Sequence, residues 1–361
     1  MTPFKLTDEL LEEIRQLIAD GKNAELQSMM KEFHYADIAE IADEMEVEEA
    51  TYLIKLLDSE KTSDILAEMH EDIREAVLKN LTAKEIAGEL SELDTDDAAD
   101  IINELPKELV QEVISEIEDR EHAKDIVDLL RYEEDSAGGL MAKELVKVNE
   151  NWTVTTCVKE MRAQAENVTR VHSIYVVDDE GRLKGRLSLK DLLTASTKTH
   201  IKDVYIAKVD AVNVNEKGEE VAKIMSKYDL EAIPVVDEIG RLVGRITIDD
   251  IVDVIREEAD KDYQMAAGIS QDVEVNDSIW ILTRARLPWL ILGLLGGLSA
   301  AAIMGTFEDM ISKHAVLFFF TPLIAAMAGN VGVQSSAIVV QGLANDVIKG
   351  SLISRLLKEI G

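Results

Sequence analysis

The sequence predicts a multidomain protein with an all-helical N-terminal domain, a duplicated α/β domain, a long connecting helix and two transmembrane helices. Three observations predict this fold class. Acidic, amphipathic helical patterns fill roughly residues 1–131, and a 20-residue segment occurs twice between residues 137 and 254. Two long uncharged stretches then follow toward the C-terminus. With 361 residues, the chain is long enough for each domain to have its own core.

The N-terminal region reads as a series of short helices. In each one, an acidic residue comes first and apolar residues follow at spacings of three and four positions. The segments with this pattern are DIAEIADEM, DILAEMHEDI, EIAGELSEL, DIINELP and DIVDLL. Similar short helices that recur favour a wound helical array in which each helix packs on its neighbours. An ordinary helical bundle fits the same pattern nearly as well.

The overall charge limits the possible partners. The chain has 38 basic and 71 acidic residues, which gives a net charge of −33. This balance argues against nucleic acid and against an anionic membrane surface, and it favours cationic partners or a solvated surface. The acidic, amphipathic opening MTPFKLTDELLEEIRQ is not typical of a secretory signal peptide. Cys157 is the one cysteine, so no intrachain disulfide is expected, and the histidine spacing does not predict a zinc site.

An internal repeat dominates the middle of the chain. IYVVDDEGRLKGRLSLKDLL (174–193) aligns without gaps to IPVVDEIGRLVGRITIDDIV (233–252), with 10 of 20 positions identical. Each copy predicts a strand, a glycine turn, a second strand and a helix. This pattern resembles a tandem pair of CBS domains. The resemblance implies an adenine nucleotide, such as ATP, between the copies, with Asp191 as the candidate ribose ligand. Alternatively, Asp191 and Asp250 only cap helices.

The connecting helix is predicted for DDIVDVIREEADKDYQMAA, directly after the second copy. Asp250, Asp253 and Glu257 share one face of this helix, since they are three and seven positions apart. A solvated acidic face is the simplest interpretation of that pattern.

Two segments are predicted to span a membrane. Residues 287–307 form a 21-residue run without charge, and residues 315–344 form a 30-residue run. Gly293, Gly297 and Ala301 give the first span a stripe of small residues for helix packing. Basic residues flank both outer ends, which predicts a multi-pass protein of the cell (inner) membrane with cytoplasmic N-terminal domains.

The second span carries polar residues that a lipid anchor does not need. Asn330, Gln334 and Gln341 fall within about 40° of one another on a helix. Gly329 and Gly332 leave the helix surface without side chains in the same region, and Pro322 is expected to bend the helix. Uncharged amides and exposed carbonyls suit a hydrated cation, which favours a pore. Hydrogen bonds between membrane helices are the alternative.

At this point the sequence resembles the MgtE family of magnesium channels. Residues 322–344 look like the second membrane helix of that family, and RYEEDSAGGLM (131–141) looks like its junction before the first CBS copy. The residues that fit the family's membrane motif are Pro322, Gly329, Asn330, Gly332, Gln334 and Ser335. The domains expected are an N domain (1–131), CBS copies (132–196 and 197–254), a connecting "plug" helix (255–283) and a partial membrane domain (284–361).

The resemblance also implies which acids bind metal. In the N domain, CBS pair and connecting helix, the matching positions are Asp64, Asp96, Asp100, Asp229, Asp250, Asp253, Glu258 and Asp262. Lys261 replaces an acid found in relatives. Independently of the family, Asp96 and Asp100 lie one helical turn apart, so their carboxylates are side by side.

The expected function is therefore Mg²⁺ uptake by a homodimeric channel that is gated by intracellular Mg²⁺. The alternative is a membrane-anchored nucleotide sensor without transport. An enzyme is not expected, because the chain has no phosphate-binding glycine loop, nucleophile–base pair or HExxH motif. The resemblance implies five membrane helices per subunit, so a C-terminally truncated form is expected.

Overall fold

The computed structural model describes residues 4–165, 168, 170–270, 273, 278–314, 316 and 319–344. The chain divides into two compact units, Met1–Val252 and Asp253–Gly361. The first unit contains the N-terminal helices and both copies of the repeat. The second contains most of the connecting helix and the long apolar helices.

Short helices make up the N-terminal domain, as the sequence predicts. They are α1 (Asp8–Ala19), α2 (Asn23–Met30), α3 (Tyr35–Asp43), α4 (Val47–Leu56), α5 (Ser59–Glu68), α6 (Glu71–Leu78), α7 (Ala83–Leu90), α8 (Thr95–Glu104), α9 (Lys107–Glu116) and α10 (Arg120–Leu129). Helix α3 packs on α5, α5 on α7, and α7 on α9, while α4 packs on α6. Contacts between every second helix confirm the wound array.

Polar contacts in this array recur at a spacing of about 30 residues. Lys55 pairs with Glu85 at 3.2 Å, and the Ser59 hydroxyl donates to Glu89 at 3.3 Å. The Nε and Nη2 atoms of Arg74 both donate hydrogen bonds to the Glu104 carboxylate, and the Glu104 side chain is 9% exposed. The Ser59 and Arg74 contacts join helices two apart, and the Lys55 contact joins helices three apart, so these contacts fix the winding of the array.

The repeated segments fold into two similar α/β copies. The first has β1 (Val146–Asn149), α11 (Val154–Ala165), β2 (Ile174–Val177), β3 (Leu183–Leu187) and α12 (Leu189–Thr194), followed by a 3₁₀ turn at Ile201–Asp203. The second has β4 (Val212–Asn213), α13 (Gly218–Tyr228), β5 (Ala232–Val236), β6 (Leu242–Thr247) and α14 (Ile248–Ala266). In both sheets the first two strands are parallel and the last two antiparallel. This topology confirms the tandem βαββα prediction.

The turn between the last two strands is the same in both copies. Gly181 and Gly240 have φ values of +79° and +81°, which L-residues rarely adopt. The side chains of Asp178 and Asp237 accept backbone N–H bonds inside these turns. The DEGR and EIGR segments therefore encode the same turn geometry in both copies.

Among the residues that the structure describes, two helices of the second unit are long and apolar enough to span a membrane. They are α15 (Ile279–Gly305) and α17 (Thr321–Ala344), with the short α16 (Glu308–Lys313) between them. The predicted bend at Pro322 is wrong, because α17 begins at Thr321. In the first turn a proline has no helical hydrogen bond to break. Pro288 is instead the proline inside a membrane helix.

Candidate functional site

The start of α8 lies against both α/β copies through a set of direct polar contacts. The Arg245 guanidinium on β6 contacts the Asp94 carboxylate at 3.2 Å, and its Nε donates to the backbone carbonyl of Glu144. The backbone N–H and hydroxyl of Thr95 donate to the Glu144 carboxylate at 3.3 and 2.9 Å. The Lys143 N–H in turn donates to the Thr95 hydroxyl at 2.9 Å. The N domain is therefore docked on the duplicated domain at this point.

Acidic side chains from both domains collect beside this contact. Asp96 is 8% exposed, and its pKa is raised well above the usual range, chiefly by burial and then by the charges of Asp97 and Asp250. Asp97 keeps an exposed surface, but desolvation by the surrounding protein raises its pKa to about 7, and Asp250 is the neighbouring charge with the largest effect on it. Carboxyls with such pKa values are destabilised in their charged form, so the docked arrangement carries electrostatic repulsion.

The Asp100 carboxyl belongs to the same cluster. Although Asp100 keeps an exposed surface, desolvation by the surrounding protein raises its pKa to about 7, and the positive charge of Arg74 acts in the opposite direction. Arg74 also holds Glu104 and donates to the carbonyls of Leu66 and Ala67 at 3.1 and 2.9 Å. Because this guanidinium already has several acceptors, it neutralises the cluster only in part.

Asp250 combines a structural role with its place in the cluster. Its carboxylate accepts the N–H and the hydroxyl of Thr247 at 3.0 and 2.7 Å, which caps the start of α14. Burial raises the pKa of Asp250, and these two hydrogen bonds offset that effect only in part. The capping interpretation is therefore correct for Asp250, and the residue still faces the acids of α8.

The acids do not form a ready-made metal cage. Within the described ranges, no group of three or more His, Cys, Asp or Glu side chains is placed to hold a metal ion. Mg²⁺ usually keeps several waters and binds through one or two carboxylates. The arrangement therefore suits a hydrated cation held between two acidic surfaces better than a dehydrated ion in a closed site.

The other predicted metal acids differ in position. Asp64 lies near the edge of the cluster, since its charge acts on Tyr35 together with Asp97 and Asp249. Asp229 is exposed and ends α13 in a left-handed conformation, with φ of +50°. Three further acids, Asp253, Glu258 and Asp262, belong to the second unit.

Lys261 has a clear effect on one of these acids. Its ammonium lies 3.0 Å from Glu258 and 3.9 Å from Glu257. A protein cation therefore stands beside the connecting-helix acids, where a metal ion was expected.

Several members of the cluster were not predicted from the sequence. They are Asp94, Asp97, Asp249 and Glu144, and the basic Arg245. The acidic run DTDDAAD was the available signal for Asp94 and Asp97. Glu144 and Arg245 gave no local signal, because their partners lie 49 and 151 residues away.

A cavity of about 90 Å³ opens between the two α/β copies. Its lining is Ser173, Tyr175, Arg186, Lys208, Val209, Asp210, Leu230, Ala232 and Pro234. Tyr175 is 1% exposed, and its hydroxyl has no hydrogen-bond partner among the described residues. Ser173 nevertheless lies near enough to influence the pKa of this hydroxyl. Two cationic side chains and an unpartnered buried hydroxyl are a chemistry that fits a phosphate-bearing ligand.

Asp191, the predicted ribose ligand, lies in the first turn of α12 and is half-buried. It is not among the residues that line the cavity. Its contact with a nucleotide stays a prediction.

The predicted pore residues Gly329, Asn330, Gly332, Gln334 and Gln341 all lie on α17. Their surfaces are exposed. In the described part of the chain, a Cβ built at Gly329 or Gly332 would meet no atom within 4 Å. The two glycine positions are therefore open for contact with water, an ion or another helix.

Comparison with known proteins gives the same domain order. The profile of the MgtE intracellular N domain matches residues 33–135, and the CBS domain profile matches residues 137–198 and 201–257. The magnesium transporter MgtE of Bacillus subtilis is 33% identical over 350 residues, which covers 97% of this chain and 77% of the relative. MgtE of Thermus thermophilus is 34% identical over 358 residues, with 94% and 76% covered.

Solved structures agree in fold with the first unit. The cytosolic domain of the Mg²⁺ channel MgtE in complex with ATP has a TM-score of 0.62 and 35% identity. The matched region covers 68% of this chain and 99% of the solved chain. The soluble part of a magnesium transporter has a TM-score of 0.60, 29% identity and coverage of 70% and 99%.

The helical array, the CBS pair and the apolar helices define a membrane transport protein with a large intracellular part. The chain belongs to the MgtE family of magnesium transporters. Both of the MgtE relatives named above are magnesium transporters.

Proposed function

We propose that this chain mediates Mg²⁺ transport and that intracellular Mg²⁺ closes the pathway by binding between the N domain and the CBS pair. The meeting of Asp96, Asp97 and Asp100 with Asp250 supports this proposal most strongly. These carboxyls come from two domains, so a cation between them acts on domain docking and not only on one helix.

Electrostatics gives the direction of the response. Two carboxylates about 5 Å apart at an effective dielectric of about 20 repel by roughly 3 kcal/mol. A bound Mg²⁺ reverses the sign of this interaction, either directly or through its waters. High intracellular Mg²⁺ therefore favours the docked form, and low Mg²⁺ lets the acidic surfaces separate. A ligand with different affinities for two states shifts the population between them in this way.

The remaining parts complete the proposed mechanism. The family relationship supports a homodimer in which the connecting helices, with Asp253, Glu258 and Asp262, transmit docking to the membrane helices. On α17, Asn330 and Gln334 supply amide oxygens to a cation that keeps its waters. Gly329 and Gly332 let that hydrated ion approach the backbone.

Vesicle reconstitution tests the transport proposal. The purified full chain is placed in vesicles that contain a fluorescent Mg²⁺ indicator, and uptake is followed after external Mg²⁺ is added. We expect uptake above that of empty vesicles, and a loss of uptake in an Asn330→Ala/Gln334→Ala variant. Ser312→Ala in the short helix α16 is the matched control. Uptake equal to that of empty vesicles contradicts the proposal.

Nucleotide binding in the cavity is the second component that we propose. Arg186 and Lys208 provide the positive charge for phosphates, and the Tyr175 hydroxyl has an unused hydrogen bond. The MgtE cytosolic domain solved with ATP supports an adenine nucleotide as the ligand. If the chain binds ATP but carries no Mg²⁺ in vesicles, the membrane-anchored sensor becomes the better interpretation.

Calorimetric titration of the full chain with ATP tests this component. Arg186→Gln is expected to weaken binding by about 10-fold to 100-fold, because a hydrogen bond to a charged group contributes about 1.5–3 kcal/mol. Arg182→Gln, on the exposed turn of the same copy, is the control. Equal affinity in both variants contradicts the assignment of the cavity.

A further inference from the structure

The two α/β copies place one arginine each at equivalent positions. Arg186 and Arg245 are 59 residues apart, which is the offset of the repeat. Each lies on the last strand of its own sheet and forms a backbone β-bridge to the segment that precedes the first strand of the other copy's sheet. The backbone of Arg186 pairs with that of Ile206, and the backbone of Arg245 pairs with that of Ala142, each in an isolated antiparallel β-bridge. The pair of copies therefore has two equivalent positions, which we call the two clefts, where the last strand of one copy meets the segment before the other copy's first strand, with an arginine at each.

The surroundings of the two arginines differ in charge. Lys208 follows two residues after Ile206 and lines the cavity with Arg186. In the other cleft the residue two positions after Ala142 is Glu144. The first cleft therefore has two cations and one acid, Asp210, and its net positive charge suits an anionic ligand. The other has a cation and an anion of its own.

Arg245 is already occupied by groups of the protein. It is 5% exposed, its Nε donates to the Glu144 carbonyl, and its guanidinium contacts the Asp94 carboxylate at 3.2 Å. Asp94 precedes the first turn of α8, directly before the acids of the proposed Mg²⁺ site. A guanidinium recognises carboxylate and phosphate groups with the same planar set of donors.

We propose that the second cleft is a docking socket for the N domain, in which Arg245 binds the Asp94 carboxylate at the position where Arg186 faces the ligand cavity in the first cleft. The socket supplies a fixed positive charge beside a cluster that otherwise repels. It therefore sets how much Mg²⁺ is needed to complete docking. This inference deepens the proposed Mg²⁺ regulation, and the contact between Arg245 and Asp94 does not itself require a metal.

Hydrogen–deuterium exchange of the full chain in detergent tests the socket. The reporter is the Lys143 N–H, whose partner is the Thr95 hydroxyl of the N domain. At saturating Mg²⁺, Asp94→Asn is expected to accelerate its exchange by about 10-fold to 100-fold, because one charged hydrogen bond is lost. Asparagine caps a helix nearly as well as aspartate, so α8 itself is retained.

Matched variants separate docking from folding. Arg245→Gln is expected to act like Asp94→Asn, and the exchanged pair Asp94→Arg/Arg245→Asp to restore part of the protection. Arg186→Gln, the same substitution at the related position, is expected to leave Lys143 exchange unchanged. Wild-type exchange in Asp94→Asn overturns the inference, and so does equal acceleration by Arg186→Gln.

The Mg²⁺ response distinguishes this inference from the proposed function. If Asp94→Asn accelerates Lys143 exchange while added Mg²⁺ changes nothing in the wild type, the socket stands and Mg²⁺ sensing fails. If Mg²⁺ protects the wild type and Asp94→Asn equally, with the same midpoint, sensing stands and the socket is overturned.

Discussion

Asp97 at the start of α8 and Asp250 at the start of α14 belong to different domains, yet Asp250 is the charge that most strongly raises the pKa of Asp97. Together with desolvation, it brings that pKa to about 7. Docking of the N domain therefore makes these carboxyls harder to ionise. A proton or a divalent cation at the cluster relieves the same repulsion.

The first prediction concerns pH. The pKa values of Asp97 and Asp100 are raised to about 7 when the domains are docked, compared with an ordinary value of 3.8. The docked form therefore binds more protons between these limits, so docking is favoured as pH falls and weakened as pH rises through 7. We expect the Mg²⁺-free chain to be more compact at pH 6 than at pH 8.

Dyes on Glu12→Cys and Glu216→Cys report this change by energy transfer. Both positions are exposed, in α1 and in the second CBS copy. The native Cys157 is buried, and burial raises its thiol pKa to about 11, so it labels slowly. Energy transfer that is constant from pH 6 to pH 8 without Mg²⁺ contradicts the prediction.

A second prediction concerns the charge of Asp97. Asp97→Asn removes one repelling carboxylate at nearly constant size. The Mg²⁺-free chain is therefore expected to shift toward the docked form, with higher energy transfer between the same two dyes. Glu108→Gln on α9 removes an equally exposed charge outside the cluster and serves as the control. A shift of the same size in both variants indicates a general charge effect and sinks this explanation.

A third prediction concerns the junction between the N domain and the CBS pair. A Cβ at Gly139 would lie 2.5 Å from the Glu133 carbonyl oxygen, whereas a Cβ at Gly88 in α7 meets nothing within 4 Å. Gly139→Ala is expected to lower the free energy of unfolding by about 1–3 kcal/mol through overpacking. Gly88→Ala is expected to raise it by up to about 1 kcal/mol. Thermal unfolding of both variants, followed by circular dichroism, measures this; a melting temperature unchanged by Gly139→Ala contradicts it.

A fourth prediction concerns the unpartnered hydroxyl of Tyr175. A buried polar group without a partner costs about 1–3 kcal/mol, so Tyr175→Phe is expected to stabilise the ligand-free chain. The same change removes the hydroxyl that we assign to the nucleotide, so ATP affinity is expected to fall. Chemical unfolding and ATP titration of one sample test both effects. A Tyr175→Phe variant that is less stable than the wild type and binds ATP with unchanged affinity contradicts this prediction.

Much of the fold was predictable because its signals are local. The repeated segments carry their own glycine turns, and the helical periodicity of α3, α5, α7 and α8 is explicit in the sequence. The continuous helix α14 also follows from its acidic and apolar faces. Pro322 was misjudged, because the sequence did not show that the helix begins one residue earlier.

The candidate site was predictable only in part. Asp96, Asp100 and Asp250 were named from the family resemblance, and the structure brings them to one interface. The pairing of Arg245 with Asp94 depends on residues 151 positions apart, so no local pattern indicates it. The unused Tyr175 hydroxyl is equally invisible, since a buried tyrosine in a strand usually has a partner.

The most direct test of the central claim is a Mg²⁺ titration of the full chain at fixed ionic strength, with amide exchange read at the Lys143 N–H. We expect Mg²⁺ to protect this amide in the wild type and to protect it much less in an Asp96→Ala/Asp100→Ala variant. Equal protection in both chains means that Mg²⁺ only screens charge. No protection in either chain means that the acidic cluster is not a Mg²⁺ site, which contradicts the account.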